Sequence, residues 1–269
     1  MLVFEFKTYG KASQFTAIDD AIRTCQFVRN KALRFWIDNP KATKYDLNKQ
    51  CAVLAREFPF ADELNSQARQ SAAERAWASI TRFYENCKNK VPGKKGFPQF
   101  QKDGRSVEYK SSGWKLAPNR KSITFTDKKE IGKLKLKGTR DLHFYQPEQI
   151  KRVRLVKRAD GYYVQFCVSI DRSESVQPSG IAIGLDVGLN DFYTDSNGKT
   201  VDNPRFLRKG ESRLKKAQRC VSKRVKKSSN RRKARLILGK RHLQISRLSF
   251  RPCCEISTVR NHIKRCSRL

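Results

Sequence analysis

RVRLVKRADGYYVQFCVSI, residues 152–170, alternates apolar and polar side chains on both sides of an Asp160-Gly161 pair. A period of two is the spacing of a strand, and Asp-Gly is a preferred two-residue hairpin turn. Tyr162, Val164, Phe166, Val168 and Ile170 then share one face of an antiparallel pair. Upstream, KSITFT (121–126) and KLKLK (133–137) repeat the same period, so residues from about 103 to 170 form a small antiparallel β domain. MLVFEFK, at the start of the chain, alternates likewise and completes it, with helices inserted between. The polar positions are basic: Lys133, Lys135 and Lys137 on one run, Arg152 and Arg154 on another. Such a face either solubilises the sheet or meets nucleic acid.

The insert reads as three helices. Over 14–37 apolar residues recur at three- and four-residue spacing; 43–57 is a shorter run; over 62–87 Leu64, Ala68, Ala72, Ala76, Ile80, Phe83 and Cys87 form one stripe. KNKVPGKKGFPQFQK (88–102) then breaks regular structure with two prolines and two glycines. Its lysines, interleaved with Phe97 and Phe100, suit either a solvated linker or phosphate contact combined with base stacking.

A formal charge of +34, from 59 Lys and Arg against 25 Asp and Glu, exceeds what solubility requires and indicates a polyanionic partner. Residues 205–269 hold 23 of those cations against two Glu. Between 208 and 241 Glu211 is the only acid, and Ser228-Ser229-Asn230 divides two helices. Like charges at i,i+4 repel along such helices, and bound phosphates would relieve them. No apolar run approaches membrane-spanning length and no secretory leader is recognisable, so a soluble cytoplasmic protein is expected. Eight scattered cysteines read as free thiols.

DRSESVQPSG (171–180) reads as a linker at a domain boundary, followed by IAIGLDVG (181–188). Ile181, Ile183, Leu185 and Val187 share one face of that strand, while Ala182, Gly184 and Gly188 leave open space around Asp186. Phe192 and Tyr193 begin a second strand, with a turn at Ser196-Asn197-Gly198. Asp186 is either a turn or capping residue or the first metal-binding carboxylate of a nuclease, which needs at least one more.

Five segments carry a resemblance: LNSQARQSAAERAWASITRFY (64–84), GKKGFPQF (93–100), SVEYKSSGWKL (106–116), IGLDVGLNDFYTDSNG (183–198) and the basic region to about 247. In this order they resemble the OrfB/TnpB proteins of bacterial insertion sequences, which are similar to compact RNA-guided nucleases. The resemblance implies an α+β fold: a β-barrel wedge domain (1–10 and 103–170), a helical recognition part with a basic loop (11–102), a linker (171–180), and an incomplete RuvC-like domain of RNase H fold with long basic helices (181–247). It also implies a Mg2+-dependent Asp-Glu-Asp triad, of which Asp186 occupies the first position as catalytic and metal-binding residue. Residues 248–269 do not resemble the family, as if the reading frame were interrupted, and Glu255 is no stand-in for a missing carboxylate. Cys253, Cys254, His262 and Cys266 lack the pair spacing of a structural zinc site, so zinc is not expected. The implied partners are a guide or scaffold RNA and duplex or single-stranded DNA, without a membrane. The function so read is a transposon-associated nucleic-acid-binding protein without independent cleavage; an active RNA-guided endonuclease and a nuclease-dead repressor are the alternatives. Phosphate neutralisation is expected of Lys94, Lys95, Lys215, Lys216, Arg224, Lys227, Arg231, Arg232 and Arg235. Phe97, Tyr109 and Trp114 are either stacking rings or core aromatics.

Overall fold

The computed structural model describes residues 1–138, 140–170, 183–188, 190–203 and 205–249, and the chain divides into two units, Met1–Arg172 and Ser173–Leu269. The first opens with β1 (Leu2–Tyr9), followed by α1 (Ala12–Asp38), α2 (Lys44–Glu57), the single turn α3 (Pro59–Asp62) and α4 (Ser66–Lys88). Six strands complete it: β2 (Ser106–Tyr109), β3 (Trp114–Leu116), β4 (Ser122–Phe125), β5 (Lys133–Lys137), β6 (Ile150–Arg158) and β7 (Gly161–Val168).

One core serves helices and sheet. On α1, Ile18, Ile22, Cys25, Val28, Ala32 and Trp36 are buried at helical spacing, facing Ala68, Ala72, Ala76 and Ile80 of α4. Each fully buried Ile or Leu contributes about 1.5–3 kcal/mol. α4 starts later than its apolar stripe, at Ser66, because the Asn65 side chain accepts the Gln67 N–H at 2.9 Å and caps the helix there. Arg69 is buried, and its Nη1 donates to the carbonyls of Ala61, Asp62 and Leu64 at 2.8, 3.0 and 2.6 Å, closing the α3 turn.

The sheet runs β2-β6-β7-β1-β5-β4-β3, every pair antiparallel, with the N-terminal strand between β7 and β5. Phe4 opposite Phe166, Phe6 opposite Val164 and Leu155 opposite Val164 show the register that puts the apolar face inward. The α+β class holds, but the expected barrel does not: β2 and β3 end an open sheet and do not pair. Tyr109 of β2 is fully buried, its ring centroid 4.8 Å from that of Phe125 on β4, and it lies so close to Gly113 that a Cβ there would come within 2.8 Å of the ring. The free edge of β2 is met by α4 instead, whose Arg75 donates to the Ser106 carbonyl at 3.2 Å.

The outer face is polar, and part of it is internally paired. Glu108 of β2 is 2% exposed and accepts from Arg152 at 3.0 Å and from Arg154 Nε, with Arg75 at 3.7 Å. Burial pushes the Glu108 carboxyl up, and the three guanidiniums outweigh it, leaving it below the usual carboxylate range. Arg152 and Arg154 are therefore engaged by this acid, whereas Lys133, Lys135 and Lys137 stand exposed.

The second unit contains β8 (Leu185–Asp186), β9 (Asp191–Asp195) and β10 (Thr200–Asp202), then α5 (Phe206–Lys223) and α6 (Ser229–Ser249). The turn after β9 forms where Ser-Asn-Gly predicts it. Asp195 Oδ1 accepts the N–H groups of Asn197 and Lys199, and Gly198 adopts φ +77°. The linker expected at 171–180 lies outside the described residues; Leu248 and Ser249 close α6, and residues 250–269 also lie outside them.

Candidate nucleic-acid interface

α5 and α6 form a helical hairpin whose turn is built locally. Ser228 Oγ accepts the Arg231 N–H at 3.1 Å and so caps α6, and Arg231 Nη1 donates to the Arg224 carbonyl at 2.7 Å. Farther along, Gly210 meets Ile245 so closely that a Cβ would lie 2.9 Å from its Cγ1. Between the helices runs a groove of about 720 Å3. One wall carries Arg213, Lys216 and Arg224, the other Lys233 and Arg241, over a floor that includes Ala217, Ala234 and Ile237. No carboxylate lines it. Glu211, the single acid of the two helices, pairs with Lys215 at 2.7 Å.

Five cations along one narrow channel raise a concentrated positive potential, because nothing of opposite sign offsets them locally. A phosphodiester backbone is the ligand that matches, and its binding would displace counterions. The walls follow i, i+3 and i+11 spacing at 213, 216 and 224, and i and i+8 at 233 and 241. That pattern could have been extracted from sequence, but within so dense a run the outward-facing cations hide it.

Of the residues singled out from sequence, Lys216 and Arg224 line the groove. Lys215 forms an exposed i,i+4 pair with Glu211, and Arg231 donates to the Arg224 carbonyl in the helix turn, so neither lines the groove. Lys227 is exposed with φ +70°, and Arg232 and Arg235 are exposed on α6. Arg213, Lys233 and Arg241 were not singled out. In the first unit Lys94 is exposed, while Lys95 turns back to the Val91 carbonyl. Phe97, 54% exposed, rests on Trp36 and Phe83 with centroids at 5.9 and 5.3 Å. Tyr109 donates from its buried hydroxyl to Asp127 at 2.6 Å, and Trp114 is 8% exposed.

Asp186 is exposed on β8, opposite Thr194 of β9. Leu185 and Val187, which share one face of the strand, are 58% and 75% exposed. A two-metal site needs several oxygen donors converging on its ions. Among the described residues no group of three or more His, Cys, Asp or Glu converges in that way, so the donor set around Asp186 does not fit a Mg2+ pair. Cys253, Cys254, His262 and Cys266 lie outside the described residues. Among the described residues no helix is long and apolar enough to cross a membrane.

Comparison with known proteins adds a family context. The family model OrfB_IS605, described as "Probable transposase", matches residues 165–249. A Streptomyces pristinaespiralis protein named "Putative RNA-guided DNA endonuclease" is 26% identical over 254 residues, covering 90% of this chain and 60% of its own. "Putative RNA-guided DNA endonuclease InsQ" of Escherichia coli K12 is 25% identical over 228 residues, covering 83% of this chain and 54% of its own. The chain thus spans less than two thirds of the length of these curated relatives.

Proposed function

We propose that this chain, whose family-level match is to the OrfB/TnpB transposon proteins, binds the phosphate backbone of a structured RNA and of DNA and does not cut DNA by itself. The observation that carries the reading is the α5–α6 groove, with five cations on its walls and no carboxylate. Arginines there supply forked donors to phosphate oxygens, and the lysine ammoniums act as point charges. Lys227, Arg232 and Arg235, all exposed beside the groove's own helices, extend the contact to neighbouring phosphates, and the first unit separately exposes Lys94. Phe97 offers a partly exposed ring for a base.

The names of the two relatives support a second reading, RNA-guided endonuclease activity. Asp186 alone cannot hold two ions, so that activity would need carboxylates beyond those around β8. A guide-programmed cut by the purified chain with Mg2+, lost on Asp186→Ala, would establish the second reading.

Salt titration separates binding from incidental charge. Affinity for a structured RNA should fall steeply as salt rises, with a log–log slope that counts the phosphates neutralised. Micromolar or weaker binding at low salt, with almost no slope, would refute the proposal.

A further inference from the structure

We infer that α1 and the segment 99–104 form a groove for single-stranded nucleic acid within the first unit, a site that deepens the nucleic-acid reading above and rests on it. Arg23, Phe27, Lys31 and Arg34 recur at i, i+4, i+8 and i+11 on α1, a stripe roughly 16 Å long at 1.5 Å per residue. Opposite this stripe lies a backbone segment that has no strand partner and is held by side chains. Gln26 Nε2 donates to the carbonyls of residues 101 and 102 at 2.9 and 3.0 Å, and its Oε1 accepts the Gly104 N–H at 2.6 Å. Asn30 Oδ1 accepts the Gln101 N–H at 2.8 Å while its Nδ2 donates to the same residue's carbonyl at 2.9 Å. Arg29 Nη1 adds a bond to the Gln99 carbonyl at 3.3 Å. These contacts fix the second wall before any ligand arrives, which lowers the ordering cost of binding.

The groove between the two walls has a volume of about 610 Å3. Its charged lining is Arg23, Lys31, Arg34 and Lys102, with no carboxylate among the lining residues. Asp20 and Asp38 pair with Arg23 and Arg34 at 2.9 and 3.0 Å, but both pairs are exposed, and such pairs are weak enough for a phosphate to displace. Lys31 Nζ lies over the Phe27 and Phe58 rings at 5.7 and 5.4 Å. Phe100, on the opposite wall, is 46% exposed.

Aromatic faces set beside cations in one channel are the means by which unpaired bases and their phosphates are held together. In a duplex the base faces are stacked inside the helix, out of reach of a ring in a groove. The ligand class is therefore a single strand, with a base against the exposed Phe100 ring and phosphates on Lys31 and Lys102, Phe27 forming the apolar side of the groove where it packs on Phe58 and Phe60.

The full chain tests this with a labelled oligothymidylate and a labelled blunt duplex of equal length. Wild type, Phe100→Ala and Phe100→Tyr are compared, each also in an Arg213→Ala/Arg241→Ala background that weakens the α5–α6 groove. Loss of one stacking contact, about 1–3 kcal/mol, corresponds to about 5- to 150-fold weaker oligothymidylate binding for Phe100→Ala. Phe100→Tyr should retain affinity, and duplex binding should change by no more than about twofold. Unchanged oligothymidylate binding by Phe100→Ala, or an equal loss for duplex, overturns the groove. A wild-type protein that binds duplex but not oligothymidylate also overturns it and leaves the proposed function standing; binding to neither removes both.

Discussion

Replacing Glu108 by Gln should destabilise the first unit by about 3 kcal/mol at neutral pH. The carboxylate is nearly inaccessible and accepts from Arg152 and Arg154, with Arg75 close by. A hydrogen bond to a charged group contributes about 1.5–3 kcal/mol. The three guanidiniums keep 30–42% of their side-chain surface, so water can partly replace the lost acceptor. Two bonds at the lower end give about 3 kcal/mol, the bottom of the range for a broken buried ion pair. Because Trp36, Trp77 and Trp114 all lie in the first unit, intrinsic fluorescence during urea unfolding of the full chain reports on that unit alone. At a slope of about 2 kcal/mol per molar urea, the midpoint should fall by about 1.5 M with the slope unchanged. The Glu108 carboxyl titrates lower in the folded state than in the unfolded one. Its stabilisation is therefore complete above the ordinary Glu value of about 4.3 and disappears as pH falls through the depressed folded value. The gap between wild type and variant should close in acid. A midpoint shift below about 0.25 M at pH 7, or a gap independent of pH, would refute the reasoning.

Burial raises the Asp127 carboxyl despite the hydrogen bond it receives from Tyr109, so this group's contribution to stability should fall as pH rises from about 3.9 through the folded-state value. Asp127→Asn should remove that slope and be at least as stable at pH 7; urea midpoints across pH would show otherwise if the slope persisted. Arg69→Met strips three carbonyls of their donor and should cost about 2–4 kcal/mol, read from the same midpoint; a loss below about 1 kcal/mol would show that the α3 turn closes without it. No described side chain of α5 or α6 is buried, so hydrogen exchange on the free protein should protect α4 and the β6–β7 hairpin far longer than α5–α6. Adding a structured RNA should slow exchange in α5–α6, and equal protection in all of them without RNA would contradict this. Ala234→Phe fills the floor of the α5–α6 groove without changing charge; RNA affinity should fall about tenfold, near 1.4 kcal/mol, with helix content by circular dichroism unchanged, and full affinity would contradict the groove.

Sequence periodicity was enough to locate the three long helices of the first unit and the β6–β7 hairpin, because one buried face per element leaves a regular trace, whereas the single turn α3 is too short to leave one. Closure of the sheet was not legible. Alternation in SVEY and WKL marks strands but carries no information on whether β2 and β3 meet; only the pairing in three dimensions shows that they end the sheet. The alternation of IAIGLDVG sets Leu185 and Val187 on one face but does not say what covers that face: β8 spans two residues, and both side chains are exposed among the described residues. Charge density singled out α5 and α6 as the candidate phosphate-binding region, but it could not show which cations share the groove. Lys215 pairs with Glu211 and Arg231 with the Arg224 carbonyl, and neither contact follows from composition.

The central claim is that the α5–α6 groove neutralises phosphates. It is tested most directly by the salt dependence of RNA binding for wild type and an Arg213→Ala/Lys233→Ala/Arg241→Ala variant. Each lost phosphate contact should reduce the magnitude of the log–log slope by about one, so the triple variant should lose about three. An unchanged slope with unchanged affinity would mean that the groove does not hold the nucleic-acid backbone.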